Sequence, residues 1–191
     1  MVDPPAIAAW RHIEARAGFE VLFSRRKGDG HLLEGHTVAV EDGVAWSVHY
    51  SLEVDVRWKT RTAFVACTST DGVRDVRIVG DGTGRWTVDG VAAAVVDGCL
   101  DVDLEASACT NMLPVRRLAL GVGERAHAPA VYVRAPSLVV ERLDQTYTRV
   151  GDEDGLQQYD YASPRFDFHA RLSFDDHGLV HEYPGIATRI A

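Results

Sequence analysis

From Val44 to Trp58 every second residue is apolar: Val44, Trp46, Val48, Tyr50, Leu52, Val54, Val56 and Trp58. Between them lie Ala45, Ser47, His49, Ser51, Glu53, Asp55 and Arg57. A helix repeats its face every 3.6 residues and cannot present this pattern, whereas a strand with one buried face repeats every two. Extended at about 3.3 Å per residue, the run would reach about 50 Å, far beyond the usual five or six residues of a strand. It therefore has to bend or bulge, as strands do where a sheet curls on itself. Any fold for this chain must accommodate a large, one-sided, curling β-sheet.

The rest of the chain supplies partners for that strand. Leu32 to Val40 precedes it across Asp42-Gly43, a hairpin signal whose glycine supplies positive φ. Asp-Gly recurs at Asp29, Asp71, Asp81, Asp89, Asp97 and Asp154. Further strands are predicted at Ala63–Ser69, Val73–Val79, Arg85–Val88, Ala130–Arg134, Leu138–Arg149, Leu156–Ala162 and Phe166–Phe174. In the last, Phe166, Phe168, Ala170, Leu172 and Phe174 alternate with polar residues. The fold class that follows is all-β and mainly antiparallel: a curled sheet, β-roll or open barrel with little helix, in one domain spanning 1–191. The exception is Pro4 to Ala17, where Asp3 can cap, Pro4 suits a first turn and Ile7, Trp10 and Ile13 recur at threes. These signals predict a short helix before Trp10.

The chemistry concentrates in Gly98 to Leu120. Leu100, Val102 and Leu104 alternate with Asp101, Asp103 and Glu105, the pattern of a half-buried strand. Val115 to Leu120 reads as a second strand led in by Pro114. Ser107 to Met112 reads as the turn between them, with Asn111 able to take a left-handed conformation. On that reading Arg116 shares a face with Leu118 and Leu120 and needs a carboxylate partner, for which Asp101 and Asp103 are nearest.

The motif Gly98-Cys99-x-Asp101-x-Asp103-Leu104, followed by Thr110-Asn111-x-Leu113-Pro114-x-Arg116-Arg117-Leu118, resembles the signature of the bacterial putative glycolipid-binding domain family. Asp55-x-x-Trp58-x-Thr60-Arg61, Gly84-x-Trp86-x-x-x-Gly90, Gln145-x-Tyr147-x-Arg149, Gly178-Leu179-Val180 and Tyr183-Pro184-Gly185 agree in order, so the resemblance runs from about Trp10 to Arg189. Where the family usually carries Thr-Pro, this chain has Ser107-Ala108. The resemblance implies a fold similar to lipoprotein-carrier proteins and a glycolipid as ligand class. It also places Trp10-Arg11 in an extended segment, against the helix signals.

Composition narrows the partners. With 28 acidic and 20 basic side chains the formal charge is −8, which disfavours nucleic acid and anionic headgroups, since both need a basic face. Met1-Val2-Asp3-Pro4 lacks the basic start of a signal peptide, and the longest apolar run, Val91 to Val96, is too short to span a bilayer. A soluble, cytoplasmic protein with Cys67, Cys99 and Cys109 reduced is the expectation. That sits awkwardly with a carrier of envelope lipids.

Serine-hydrolase, H-E-x-x-H and P-loop patterns do not occur, and Gly80 to Gly84 reads as a hairpin loop. His177-x-x-x-His181 spans a turn, and His31, His36 and His49 have no cysteine pair nearby, so neither metal nor cofactor is expected. Trp46, Tyr50, Trp58, Phe166, Phe168 and Phe174 fall on apolar strand faces, which suits a curled sheet holding a lipid-like small molecule. Asp55, Trp58, Arg61, Asp101, Asp103, Asn111, Arg116, Arg117 and Tyr147 are the candidate ligand-binding residues. Non-enzymatic binding is the leading reading. Its alternatives are a small hydrolase or isomerase using Asp101 and Asp103 as acid and base, and a packed protein-interaction domain without a ligand.

Overall fold

A computed structural model describes residues Met1–Ala191. An antiparallel meander comes first: β1 (Ile7–His12), β2 (Ala17–Lys27), β3 (Gly30–Glu41), β4 (Val44–Val54), β5 (Thr60–Ser69), β6 (Gly72–Gly80), β7 (Trp86–Val88) and β8 (Val91–Ala92). Then come β9 (Asp101–Leu104), the helix α1 (Met112–Leu118), β10 (Arg125–His127), β11 (Ala130–Val133) and β12 (Val140–Leu143). The chain ends with β13 (Thr146–Glu153), β14 (Leu156–Ser163), β15 (Phe168–Phe174), β16 (Val180–Tyr183) and β17 (Ala187–Arg189).

Pairing of β17 with β1 joins the two meanders into one 14-stranded sheet, β10-β13-β14-β15-β16-β17-β1-β2-β3-β4-β5-β6-β7-β8. Its edge strands β10 and β8 do not meet, so the sheet is curled and open. A three-stranded sheet, β12-β11-β9, forms separately, and its β9–β11 pair is parallel. The larger core lies under β1–β7, where Trp46, Val48, Tyr50, Leu52 and Val54 of β4 meet Val102 and Leu104 of β9 and Met112 and Leu113 of α1. A smaller aromatic core holds Tyr147, Tyr159, Tyr161, Leu172 and Phe174.

The long alternating run bends as its length requires. Register shifts between Glu53 and Val54, β4 stops there, and Val56 is exposed. The Asp55 carboxylate then accepts the amides of Arg57 (2.9 Å) and Lys59 (3.1 Å), closing a turn in which Trp58 adopts φ 63° and swings back into the core.

Asp42-Gly43, Asp89-Gly90 and Asp154-Gly155 have positive φ at both positions, the two-residue hairpin turn whose twist matches its strands. At Asp29-Gly30 the left-handed position falls one pair earlier, on Gly28, and Gly30 already pairs with Lys27 in the ladder. At Gly43, φ is 78° and a Cβ would meet open space, so Gly43→Ala would carry only the left-handed strain. A loss of about 1–2 kcal/mol is expected, read from the urea midpoint at unchanged m.

Five sequence expectations are corrected. Ile7–His12 is a strand; pairing with both β2 and β17 overrides the local helix signals before Trp10. Val115 to Leu120 is not a strand: Met112–Leu118 is helical, with Pro114 in the first turn, where no intrahelical amide bond is lost. Asn111 lies in the right-handed helical region (φ −63°), and the left-handed residue is Ala119 at the C-cap (φ 47°). Leu138 to Arg149 divides into β12 and β13, which belong to different sheets. Phe166 lies in a short 3-10 turn ahead of β15.

Candidate functional site

β9 carries the acidic face of the central motif, and that face is not exposed. All four residues are buried, because α1 and the start of β13 cover the side opposite Val102 and Leu104. Asp101 is 1% exposed and receives the Arg117 guanidinium through two nitrogens, Nε at 2.9 Å and Nη2 at 2.6 Å. Burial works against the Asp101 charge and Arg117 opposes that effect. The paired arginines therefore divide differently from expectation. Arg117, not Arg116, takes the carboxylate, because on a helix successive side chains diverge by about 100°. Arg116 turns away, donates to the carbonyls of Val2 (2.9 Å) and His177, and lies 3.9 Å over the Trp58 ring, whose other neighbour is His31 at 4.6 Å.

Asp103 has a different environment. Its carboxylate accepts Thr110 Oγ1 at 2.8 Å and Gln145 Nε2 at 2.9 Å. The Tyr147 hydroxyl donates to Asn111 Oδ1 (2.9 Å) and has Gln145 Oε1 as a second acceptor within reach (3.2 Å). Burial lifts the Asp103 carboxyl from 3.8 to about 6, the bonds from Thr110 and Gln145 pull it back, and Asp101 and Glu105 push it up further.

Asp103 and Asn111 open onto a cavity of about 290 Å³. Its walls include the rings of Tyr132, Tyr161, Phe166, Phe168 and Tyr183, and its polar lining includes Arg16, Glu41, Glu105, Ser107 and Ser163. Tyr161, Phe168 and Tyr183 pack against one another with centroids 5.9–6.1 Å apart. Tyr132 and Phe166 form a second pair at 5.7 Å. Other surface depressions are more open, such as that beside Val76, Val88 and Val95.

Of the nine candidate residues, the structure brings Asp103 and Asn111 to the cavity and Tyr147 one hydrogen bond behind them. Asp101 and Arg117 stand behind Asp103 as an ion pair. Trp58 and Arg116 form the separate stack, and Asp55 and Arg61 lie at the β4–β5 turn, 3.8 Å apart. Asp101 thus has Arg117 as its partner, and its nearby charge helps to raise the Asp103 carboxyl. His36 and His49 stack on each other at 4.6 Å, while His31 lies with Trp58, so the three do not converge. Cys67, Cys99 and Cys109 are buried free thiols.

Sequence reasoning missed Tyr132, Tyr161, Tyr183, Arg16 and Glu20. Tyr159-x-Tyr161 has strand alternation, but nothing in its spacing joins it to Tyr132 or Tyr183. Glu20 is fully buried beneath the Ser107–Ala108 turn and accepts bonds from Tyr50 (2.7 Å), Ser107 and the Ala108 amide (2.7 Å).

Two buried groups near the cavity titrate in opposite senses. Asp103, raised to about 6, contributes stability that is present below 3.8 and lost as pH rises through about 6. His12, lowered by burial from 6.5 to about 4, contributes stability present above 6.5 and lost as pH falls through about 4. Each effect is about 3 kcal/mol. They offset between pH 4 and 6, so Asp103→Asn is expected to lose melting temperature more steeply than wild type over that acid range. Parallel curves would refute the assignment.

Comparison with known proteins places this architecture. A crystal structure of a DUF1089 family protein from Pseudomonas aeruginosa superposes with a TM-score of 0.77 and 33% identity, covering 100% of this chain and 96% of that one. A β-barrel-like protein of the DUF1849 family from Brucella abortus shares the fold at a TM-score of 0.50 and 11% identity, over 96% of this chain and 92% of that one. No curated protein matches the chain. No helix is long and apolar enough to cross a membrane. The family described as putative glycolipid-binding matches residues 7–189, nearly the whole length, and this chain belongs to it.

Proposed function

We propose that the protein binds a glycolipid-like ligand without chemical turnover, the ligand's head group entering the aromatic-walled cavity beside Asp103. The observation that carries this is the composition of that one cavity: five aromatic rings around three carboxylates, a guanidinium, an amide and two serine hydroxyls. Aromatic faces pack on the C–H faces of a sugar, and the few convergent polar groups fix its orientation. Size decides which part of the ligand enters. About 290 Å³ lies at the lower edge of the roughly 300–1,000 Å³ typical of small-molecule pockets, enough for one ring-sized head group and too little for two acyl chains as well. The tail therefore lies outside.

Native mass spectrometry of protein purified without detergent, before and after organic extraction, tests the reading. A bound mass of lipid size that extraction removes is expected. A bare chain mass, together with no change in melting temperature on adding octyl glucoside, would overturn it.

A further inference from the structure

We infer that the head group for which this cavity is shaped carries a positively charged nitrogen, as an amino sugar does. The inference rests on the binding reading above and specifies its chemistry. It comes from comparing the acidic side chains in and around the site. Asp101 has Arg117 in a two-nitrogen contact. Glu105 has Arg134 at 3.6 Å and the Ala135 amide at 2.8 Å. Glu41 has Arg16 at 3.9 Å. Of the three carboxylates that line the cavity, Asp103 alone has no cation: both of its hydrogen-bond donors, Thr110 and Gln145, are neutral, whereas Glu20, which also lacks one, is sealed behind the Ser107–Ala108 turn and is not part of the lining.

A carboxylate 9% exposed in an aromatic pocket is costly without a counter-charge. Two of its roughly four acceptor positions are filled from within the protein, and the others are free for a donor in the cavity. The Ser163 hydroxyl is a second unfilled group. It lines the same cavity, is 1% exposed, and completes no hydrogen bond of its own, although the Tyr161 hydroxyl is its neighbour.

The walls suit the same ligand, because ring faces attract cations. At the rim the pair Tyr132 and Phe166 already does this: the Arg134 guanidinium carbon lies 5.9 Å from one centroid and 5.6 Å from the other. The one guanidinium on the lining, Arg16, already has partners within the protein. Its Nη1 bonds the Glu105 carbonyl at 3.1 Å, Glu41 lies 3.9 Å from its Nε, which completes no hydrogen bond, and it lies over Trp46 at 5.2 Å. An anionic head group would meet three carboxylates and only this one cation.

The experiment is calorimetric titration at neutral pH with three probes sharing an octyl tail: octyl glucoside, its 2-amino-2-deoxy analogue, and octyl glucuronide. The amino analogue is expected to bind at least about tenfold more tightly than the glucoside, the value of one charge-assisted hydrogen bond, with the glucuronide weakest. Asp103→Asn should close the gap between amino sugar and glucoside, while Glu105→Gln, at a carboxylate that already has a cation, should keep it. If Asp103→Asn does not fold, the wild-type ranking decides alone. Equal affinity for glucoside and amino sugar overturns this inference and leaves the head-group pocket standing. Binding of none of the three overturns both.

Discussion

Replacing Arg117 with leucine is expected to remove about 3–5 kcal/mol of folding stability, the cost of leaving one member of a buried ion pair alone. Asp101 is 1% exposed and the Arg117 side chain 13%, so solvent cannot take over the lost contact. The guanidinium meets both carboxylate oxygens, at 2.6 Å from Nη2 and 2.9 Å from Nε, and no other cation contacts Asp101. The pair also ties the last turn of α1 to β9, and the helix C-terminus there favours a cation. Because the loss comes mainly from the abandoned carboxylate, Asp101→Asn combined with Arg117→Leu should be much milder than the sum of the single variants. Urea unfolding of all four proteins measures this. Additive losses would remove the pairing from the account. Arg116→Leu is the internal control: it gives up a stack on Trp58 and two carbonyl contacts, and it should show no coupling to Asp101.

The contrast between these two arginines shows where sequence patterns inform and where they fail. The β4 alternation was legible because one face of that strand meets the core and the other does not, so burial writes itself into the order of residues. The hairpins were legible because a two-residue turn demands positive φ, which Asp-Gly satisfies. α1 was not legible. It is seven residues long, two turns, and Met112, Leu113, Pro114 and Val115 are all buried, so no periodic stripe develops. Pro114 then reads equally well as the first residue of a strand. On β9 the acidic residues alternate as a solvent face would, but α1 and β13 cover them, and nothing in Asp101–Leu104 records what lies opposite. β2 inverts the usual signal: Phe19 and Phe23 face outward at 50% and 45% exposure, while Glu20 points into the core. The cavity was the least legible feature. Arg16 comes from the β1–β2 turn and Asp103, Tyr132, Tyr161 and Tyr183 from four strands in two sheets, and only the packing of those sheets brings them together.

Glu20→Leu is expected to destabilise the fold by about 3–5 kcal/mol and to loosen the cavity floor with it. The buried carboxylate accepts the Tyr50 hydroxyl at 2.7 Å, the Ala108 amide at 2.7 Å and the Ser107 hydroxyl. Leucine would leave three buried donors without acceptors, at about 1–3 kcal/mol each, partly offset because a charge no longer has to be buried. Burial raises the Glu20 carboxyl, and the bonds from Ser107, Tyr50 and the Ala108 amide oppose that effect. Glu20→Gln keeps an acceptor oxygen and should cost about 1 kcal/mol. The network also depends on Gly35, which pairs with Tyr50 across β3 and β4; a Cβ there would lie 2.2 Å from the Tyr50 ring. Gly35→Ala must displace the ring and its hydroxyl, so it should reproduce much of the Glu20→Leu loss, and the two changes together should cost less than their sum. Ser107 and Asn111 stand on the turn that Glu20 anchors, and both line the cavity. Glu20→Leu should therefore weaken octyl glucoside binding even at temperatures where the variant remains folded. Unchanged affinity in a folded Glu20→Leu protein would show that the turn holds its place without the carboxylate, and that Glu20 serves stability alone.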